Sequence, residues 1–310
     1  MDLRQARENC MDLALLGEHW NRFGESDPMW SILMEPERQH GRWDKREFFE
    51  RGWHDTEFAI KTVRNIEFPL RQGTALEFGC GLGRMTQGLA CYFDEVHGVD
   101  IAASMIEQAR RYNPYEDRLR FHVNQRDDLS LFKDNQFDFI LSLIVLQHIR
   151  ADYVKRYIAE FLRILAPGGL LLFQHPSHDS KADLSLTYEE WPLQFRRDVR
   201  LWMRSTARRL RGKAVEFAAR RYGQAKYRRR EPILDWEPTA CDSESSRQSG
   251  VSEGTDSSIA LAEPPRCEHH PIERRDILRH VIRHGGRIVD ELQRADCGPD
   301  WVSYRYFVTK

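Results

Sequence analysis

Thr74-Ala75-Leu76-Glu77-Phe78-Gly79-Cys80-Gly81-Leu82-Gly83-Arg84 is the stretch that decides the fold. A short apolar run ends in a loop with glycine at alternate positions, and residues 85–93 continue it as a helix. Glycines let a ligand approach the backbone with no Cβ in the way. The helix start beyond them offers unpaired N–H groups. A tight turn alone would use the same glycines, so two further residues matter. Glu77 stands two positions before the first glycine, and Asp100 ends the next apolar run, VHGVD. A carboxylate at that second position can accept both hydroxyl protons of a ribose, and the same residue can instead cap the helix that follows.

Moving outward, strand and helix patterns alternate. LRFHV (119–123), FDFILSLIV (137–145) and LLLFQ (170–174) read as strands three to five, the fourth almost wholly apolar, as for a strand covered on both faces. Residues 101–112 and 152–165 read as helices, the latter with Tyr153, Tyr157, Phe161 and Leu165 four apart and PGG as its stop. Residues 271–284 form a last helix, opened by Pro271 and stopped by Gly285-Gly286, and RIVDEL and WVSYRYFVT complete the parallel core. This alternation predicts an α/β fold with a doubly wound sheet. A dinucleotide site shares the layout, but its fingerprint is G-x-G-x-x-G. Here the third glycine comes one position early, Arg84 fills the expected slot, and Glu77 suits a ligand bearing an ammonium group better than a pyrophosphate.

ALEFGCGLGRMTQGLA resembles the glycine motif of class I (Rossmann-like) S-adenosylmethionine-dependent methyltransferases, and VHGVDIAASMIEQAR resembles their second motif. FDFILSLIVLQHI, FLRILAPGGLLLFQ and the tail are similar to their later motifs and terminal strand pair, so the resemblance covers about residues 74–175 and 271–310. It implies a seven-stranded sheet with S-adenosyl-L-methionine as cofactor. It further implies that Gly79, Gly81 and Gly83 lie under the cofactor's amino-acid end, which Glu77 orients. Asp100 would hold the ribose, Ile101 would lie against the adenine, and Leu143 would use its backbone. The adenine edge is normally read after strand three; Gln125 falls in that slot by alignment, and Asp128 and Leu129 just beyond it are preferred. Amino-methylating DNA enzymes carry an Asn/Asp-Pro-Pro-aromatic turn after strand four, where this chain has Ser142-Leu143-Ile144-Val145; Asn113-Pro114-Tyr115 falls after the second helix instead. No cysteine stands in the turn directly after strand four, where cytosine C5 enzymes place their nucleophile.

The sulfonium is a good leaving group, so a base is needed only for an acceptor protonated at neutral pH. His148 in LQHI is the candidate catalytic residue, because imidazole titrates in that range; capping the next helix or lining the pocket is its alternative role. His175 is a second candidate. His269 and His270 adjoin without a third ligand, which argues against a metal site, and Cys80 reads as a small space-filler.

Around the core (71–175 and 269–310) lie a helical, aromatic lead-in (1–70), a basic helical insertion after strand five (176–234) and an acidic Ser-rich linker expected to be disordered (235–268). Residues 195–230 hold fourteen Lys/Arg against Asp198 and Glu216, with Val199, Trp202, Met203 and Leu210 at helical spacing. Lead-in and insertion would roof the pocket. The formal net charge of −1 gives no overall field to steer the chain to nucleic acid or membrane. The lead-in WDKREFFERGWHDTEF (43–58) resembles that of a bacterial branch of the family, and the resemblance implies methyl transfer to an oxygen or nitrogen of a small molecule or glycan. RNA gripped by the Arg-rich segment is the alternative, and contact of 195–230 with an anionic membrane surface is another. No apolar run approaches a membrane span, no signal-peptide plan opens the chain, and the six cysteines include no C-x-x-C pair, so a cytoplasmic protein is expected.

Overall fold

Among the described residues seven strands form: β1 (Thr74–Phe78), β2 (Glu95–Asp100), β3 (Leu119–Val123), β4 (Phe137–Ser142), β5 (Leu165–Asp179), β6 (Arg287–Arg294) and β7 (Trp301–Thr309). In this computed structural model, which describes residues 12–179, 228–233, 269–294, 296–297 and 300–310, they make one sheet in the order β3-β2-β1-β4-β5-β7-β6. β1 to β5 run parallel, and the order reverses beside β1, so the crevice for a ligand opens at the carboxyl ends of β1 and β4. β7 runs antiparallel to β5 and β6, and so the last two strands do not complete a parallel core. Only residues 295–300 join β6 to β7. That allows a hairpin-like return, whereas a parallel crossover takes a dozen residues or more.

The strands alternate between two cores with the period of two that a pleated backbone imposes. Leu76, Ile140, Leu171 and Phe173 face α6 (Ala151–Ile164) and α7 (Arg274–Arg283), packing with Val154, Ile158, Phe161, Ile277 and Val281. Ala75, Phe139, Leu141 and Leu172 face the other way, onto Ala59, Ile60 and Val63 of α3 (Lys45–Asn65) and Met85 and Leu89 of α4 (Arg84–Ala90). α6 stops at Ile164, and β5 starts at once with Leu165, so Pro167-Gly168-Gly169 lies within the strand range. A register shift against Phe137 and Phe139 absorbs that segment. β5 also runs beyond His175, because β7 stays paired with it as far as Asp179 and Trp301.

The lead-in packs through small residues. A Cβ on Gly52 would stand 2.4 Å from the Arg84 carbonyl oxygen, and one on Gly88 would stand 2.5 Å from Thr56 Oγ1, so α3 and α4 approach closely only because both are glycine. α1 (Leu13–Ser26) crosses α5 (Ala103–Arg111) in the same way, at Gly24 against Ser104. The N-cap of α5 is Ala102, which has no capping side chain. Asn21 of α1 supplies the oxygen instead, accepting the Ser104 N–H at 3.0 Å.

Most of the basic insertion (180–227) and the whole acidic linker (235–268) lie outside the described residues. The described stretch 228–233 docks at the amino ends of the strands, away from the crevice. Arg228 and Arg230 pair with Asp94, just before β2, at 2.7 and 2.9 Å, and the Arg230 N–H donates to the Cys91 carbonyl. The guanidinium of Arg229 lies 5.0 Å from the centre of the Trp53 ring. The part of the expected roof that falls in 195–227 is therefore outside the described residues, and 228–230 sits at the opposite end of the sheet. Among the described residues, no helix is long and apolar enough to cross a membrane.

Candidate functional site

The glycine loop leaves the carboxyl end of β1 with Gly79, Gly81 and Gly83 all at positive φ (75°, 51° and 79°). The Gly79 N–H donates to the Val99 carbonyl at 2.8 Å, which ties the loop to β2. Each glycine also faces a wall. A Cβ would stand 2.3 Å from Val145 at position 79, 2.7 Å from Ile32 of α2 (Pro28–Ile32) at position 81 and 2.5 Å from Phe121 at position 83. Gly83 is the N-cap of α4 and brings no capping side chain.

Asp100 closes this loop from β2. Its Oδ2 accepts the Gly81 N–H at 2.8 Å and its Oδ1 the Ala102 N–H at 2.9 Å. Burial outweighs these bonds and raises its carboxyl above the usual range, although an edge of the side chain remains accessible. Glu77 is 7% exposed at the end of β1. Burial pushes its carboxyl up to about 7, against the opposing effects of the Thr86 hydroxyl that donates to it and of the nearby Arg84. Arg84 itself pairs with Asp55 at 2.5 Å. A buried carboxyl in this state is stabilised most by a cation.

The structure thus gathers Glu77, the three glycines and Asp100. Ile101 follows directly, packed beneath Gly17 of α1, where a Cβ would stand 3.2 Å from it. Leu143 leaves β4 half-buried against the α3/α4 core. Asp128 and Leu129 stand differently. The carboxylate of Asp128 is held by both Arg126 nitrogens at 3.0 Å and by Ser130, which keep it well below the usual range. Leu129 is fully buried, and its N–H donates to Glu160 Oε2 at 2.8 Å. Gln125 is exposed on the same loop, next to Asn124, whose N–H donates to the Asp100 carbonyl at 2.8 Å.

His148 ends a 3-10 turn (Leu146–His148) after β4, its ring 5.7 Å from Trp20 and 5.3 Å from His269. Gln147 lies between the two imidazoles, and Gln174 and Cys297 bond to Gln147 from behind. Spacing along the chain does not reveal this group, because its members come from β4, β5, residue 269 and the β6–β7 connection. His175, next to Gln174 on β5, is wholly buried. Its Nδ1 bonds to the Pro176 carbonyl at 2.7 Å, and burial pushes it down to about 4. Among the described residues no group of three or more His, Cys, Asp or Glu can hold a metal ion.

Residues 76–173 match the family described as "Methyltransferase domain". Among curated proteins, the chain is 31% identical over 145 residues to the tRNA N(3)-methylcytidine methyltransferase Mettl2 of Drosophila melanogaster, covering 44% of each chain. It is 30% identical over 119 residues to the ubiquinone biosynthesis O-methyltransferase of Coxiella burnetii, covering 38% of this chain and 50% of that protein. The matches thus span half or less of these relatives' length. Among solved structures, the magnesium protoporphyrin IX methyltransferase of Synechocystis PCC 6803, with bound SAH, superposes with a TM-score of 0.51. That alignment is 13% identical and covers 96% of this chain and 100% of that one, a likeness of fold.

Proposed function

The chain carries a methyltransferase domain of the class I, S-adenosylmethionine-dependent family, and from that premise we propose that it methylates an oxygen or nitrogen of a small molecule or glycan. The observation that carries the cofactor assignment is the buried Glu77 carboxyl beside a loop in which three Cβ atoms would collide with their surroundings. Those collisions are with Val145, Ile32 and Phe121, which together with the positive φ of all three glycines fix the shape of the loop, and the carboxyl favours a ligand with an ammonium group. Gly79, Gly81 and Gly83 would hold the amino-acid end, with Glu77 behind it. Asp100 would take the ribose hydroxyls, Ile101 would lie against the adenine, and Leu143 would offer its backbone. For the adenine edge we assign Gln125 in place of Asp128 and Leu129. The Asp128 carboxylate already holds Arg126, and the Leu129 N–H is given to Glu160.

When bound, the cofactor supplies a methyl group activated on a sulfonium. The chain's own task is then to hold the acceptor in line at about 3–3.5 Å and to exclude water. α1 supports this, since it covers Ile101 at one end of the crevice and brings Trp20 to His148 at the other. His148 is the residue we assign to acceptor contact.

The fruit-fly relative's tRNA activity favours a second reading, in which RNA is the acceptor and the Arg-rich segment grips phosphates. Methyl-labelled cofactor, incubated with the protein and separate pools of bacterial metabolites, glycans and tRNA, distinguishes the two. Label is expected in the metabolite or glycan pool. Label confined to tRNA, falling steeply with salt, would establish the second reading instead.

A further inference from the structure

The chain leaves the crevice end of the sheet at Asp179 and is back there at His270 and Ile272, whose N–H groups donate to the Gln147 and Pro176 carbonyls at 2.9 and 3.1 Å. Between those points it is held at the opposite end, at 228–233, by backbone and side chains together. The Gln72 carboxamide, just before β1, meets the backbone of Arg228 twice. Its Oε1 accepts the Arg228 N–H at 2.7 Å, and its Nε2 donates to the Arg228 carbonyl at 2.8 Å and to the Tyr92 carbonyl at 2.7 Å. Cys91, Tyr92 and Phe93 follow the end of α4, where carbonyls have no further turn of helix to bond to. Arg230 meets two of them, with its N–H on Cys91 at 2.7 Å and its Nη1 on Phe93 at 2.9 Å. The Ile233 N–H donates to the Tyr115 hydroxyl at 2.9 Å.

The side chains go alternately to different partners, as in an extended segment. Arg228 and Arg230 share the Asp94 carboxylate, one on each oxygen, and hold it below the usual range. Arg229 lies over the Trp53 ring and pairs with Glu57, one turn further along α3, at 3.5 Å. Pro232 disfavours helical backbone at Glu231 and so supports the extended form.

We propose that this surface is a recognition site for an extended, arginine-bearing segment, and that residues 228–233 of the same chain occupy it as the anchor of the insertion. The site stands apart from the cofactor reading, since the residues that make it lie at the opposite end of the sheet. Arginine suits it better than lysine. A guanidinium presents its donors in a fixed fork, and Arg230 uses that fork on Asp94 and on the Phe93 carbonyl together. Ile233 is 42% exposed, so buried apolar surface contributes little, and the anchor depends on charge and backbone bonds. Its hold is therefore sensitive to salt. One end of the Arg-rich segment is thereby neutralised by Asp94 and Glu57.

Hydrogen exchange of the full chain and binding of a peptide test the site. In the wild type the Arg230 and Ile233 amides are expected to exchange about tenfold or more slowly in low salt than in about 1 M NaCl, where the Debye length falls to roughly 3 Å. Amides of β1 and β4 should keep their rates, and Asp94→Lys should abolish the protection of Arg230 and Ile233 at low salt. The probe for binding is a labelled synthetic peptide of residues 225–236. It is expected to bind the full chain carrying Arg228→Ser, Arg229→Ser and Arg230→Ser, one peptide per chain. The wild type should bind it about tenfold or more weakly, because its tethered segment competes at a high effective concentration. Adding Asp94→Lys to the triple variant should weaken binding about tenfold or more, and a peptide with lysine at the three positions should bind less tightly than the arginine peptide. Unprotected Arg230 and Ile233 amides in the wild type, or equal binding of the peptide to wild type and triple variant, would overturn the occupancy by 228–233. No binding to the triple variant, or binding that Asp94→Lys leaves unchanged, would overturn the recognition site, and equal binding of the lysine peptide would overturn its preference for arginine. The exchange measurement on the wild type decides the occupancy whether or not the triple variant folds.

Discussion

Replacing Asp100 by Ala is expected to weaken S-adenosylhomocysteine binding about 100-fold or more. In the proposed site two charge-assisted hydrogen bonds to the ribose hydroxyls would be removed, each worth roughly 1.5–3 kcal/mol. The same carboxylate also accepts the Gly81 and Ala102 N–H groups, so the variant loosens the loop under the ligand as well as losing its ribose contact. Asp100→Asn separates the two effects, since its one remaining acceptor oxygen can hold Gly81. It should bind more tightly than the Ala variant and unfold closer to the wild type. Calorimetry and thermal unfolding on the three proteins check this; an Ala variant that binds within threefold of the wild type removes Asp100 from the cofactor site.

Gly79→Ala is expected to destabilise the protein by about 2–5 kcal/mol. Left-handed backbone costs an alanine roughly 1–2 kcal/mol, and forcing a carbon into a filled space costs about 1–3 kcal/mol more. The new Cβ would lie 2.3 Å from Val145 Cγ1 and 2.4 Å from Cγ2, while the bond from the Gly79 N–H to Val99 resists a shift of the backbone. Gly168 is the control. Its φ is 73°, yet nothing lies within 4 Å of a Cβ there. Gly168→Ala should therefore cost only the backbone part. Tm is expected to fall by roughly 5–15 °C for Gly79→Ala and by a few degrees for Gly168→Ala. Equal losses would show that Val145 does not close on the loop.

The parts of this architecture that were legible in the sequence are those written in contiguous residues. Residues 74–84 contain a strand, its glycine turn and the helix start in one stretch, and the successive residues Phe139, Ile140 and Leu141 go to opposite faces of the sheet in turn. The direction of β7 was not legible, because an apolar alternation such as WVSYRYFVT looks the same in either direction; the short β6–β7 connection decides it. PGG reads as a helix stop and does stop the helix, but the strand begins before it, where a register shift against β4 absorbs the glycines. At the site, Glu77, Gly79, Gly81, Gly83 and Asp100 were legible as a motif. The bond at Leu129 was not legible, since its position after β3 says nothing of the Glu160 side chain that reaches its N–H from α6. The Gln147–Gln174–Cys297 group left no trace in the sequence, because glutamine has no spacing signature and its partners are up to 150 residues apart.

The central claim is that the crevice at the carboxyl ends of β1 and β4, with Asp100 of β2 beside it, takes S-adenosylmethionine through Glu77, the glycine loop and Asp100. Calorimetric titration of the wild type with S-adenosylhomocysteine at pH 7, in two buffers of different ionisation enthalpy, tests it most directly. One molecule per chain is expected to bind. The free Glu77 carboxyl stands at about 7, so it is about half protonated at that pH. A ligand ammonium beside it lowers that value, and binding should release up to about half a proton, an effect that Glu77→Gln abolishes. No binding, binding with no proton release, or tighter binding of NAD than of S-adenosylhomocysteine would contradict the account.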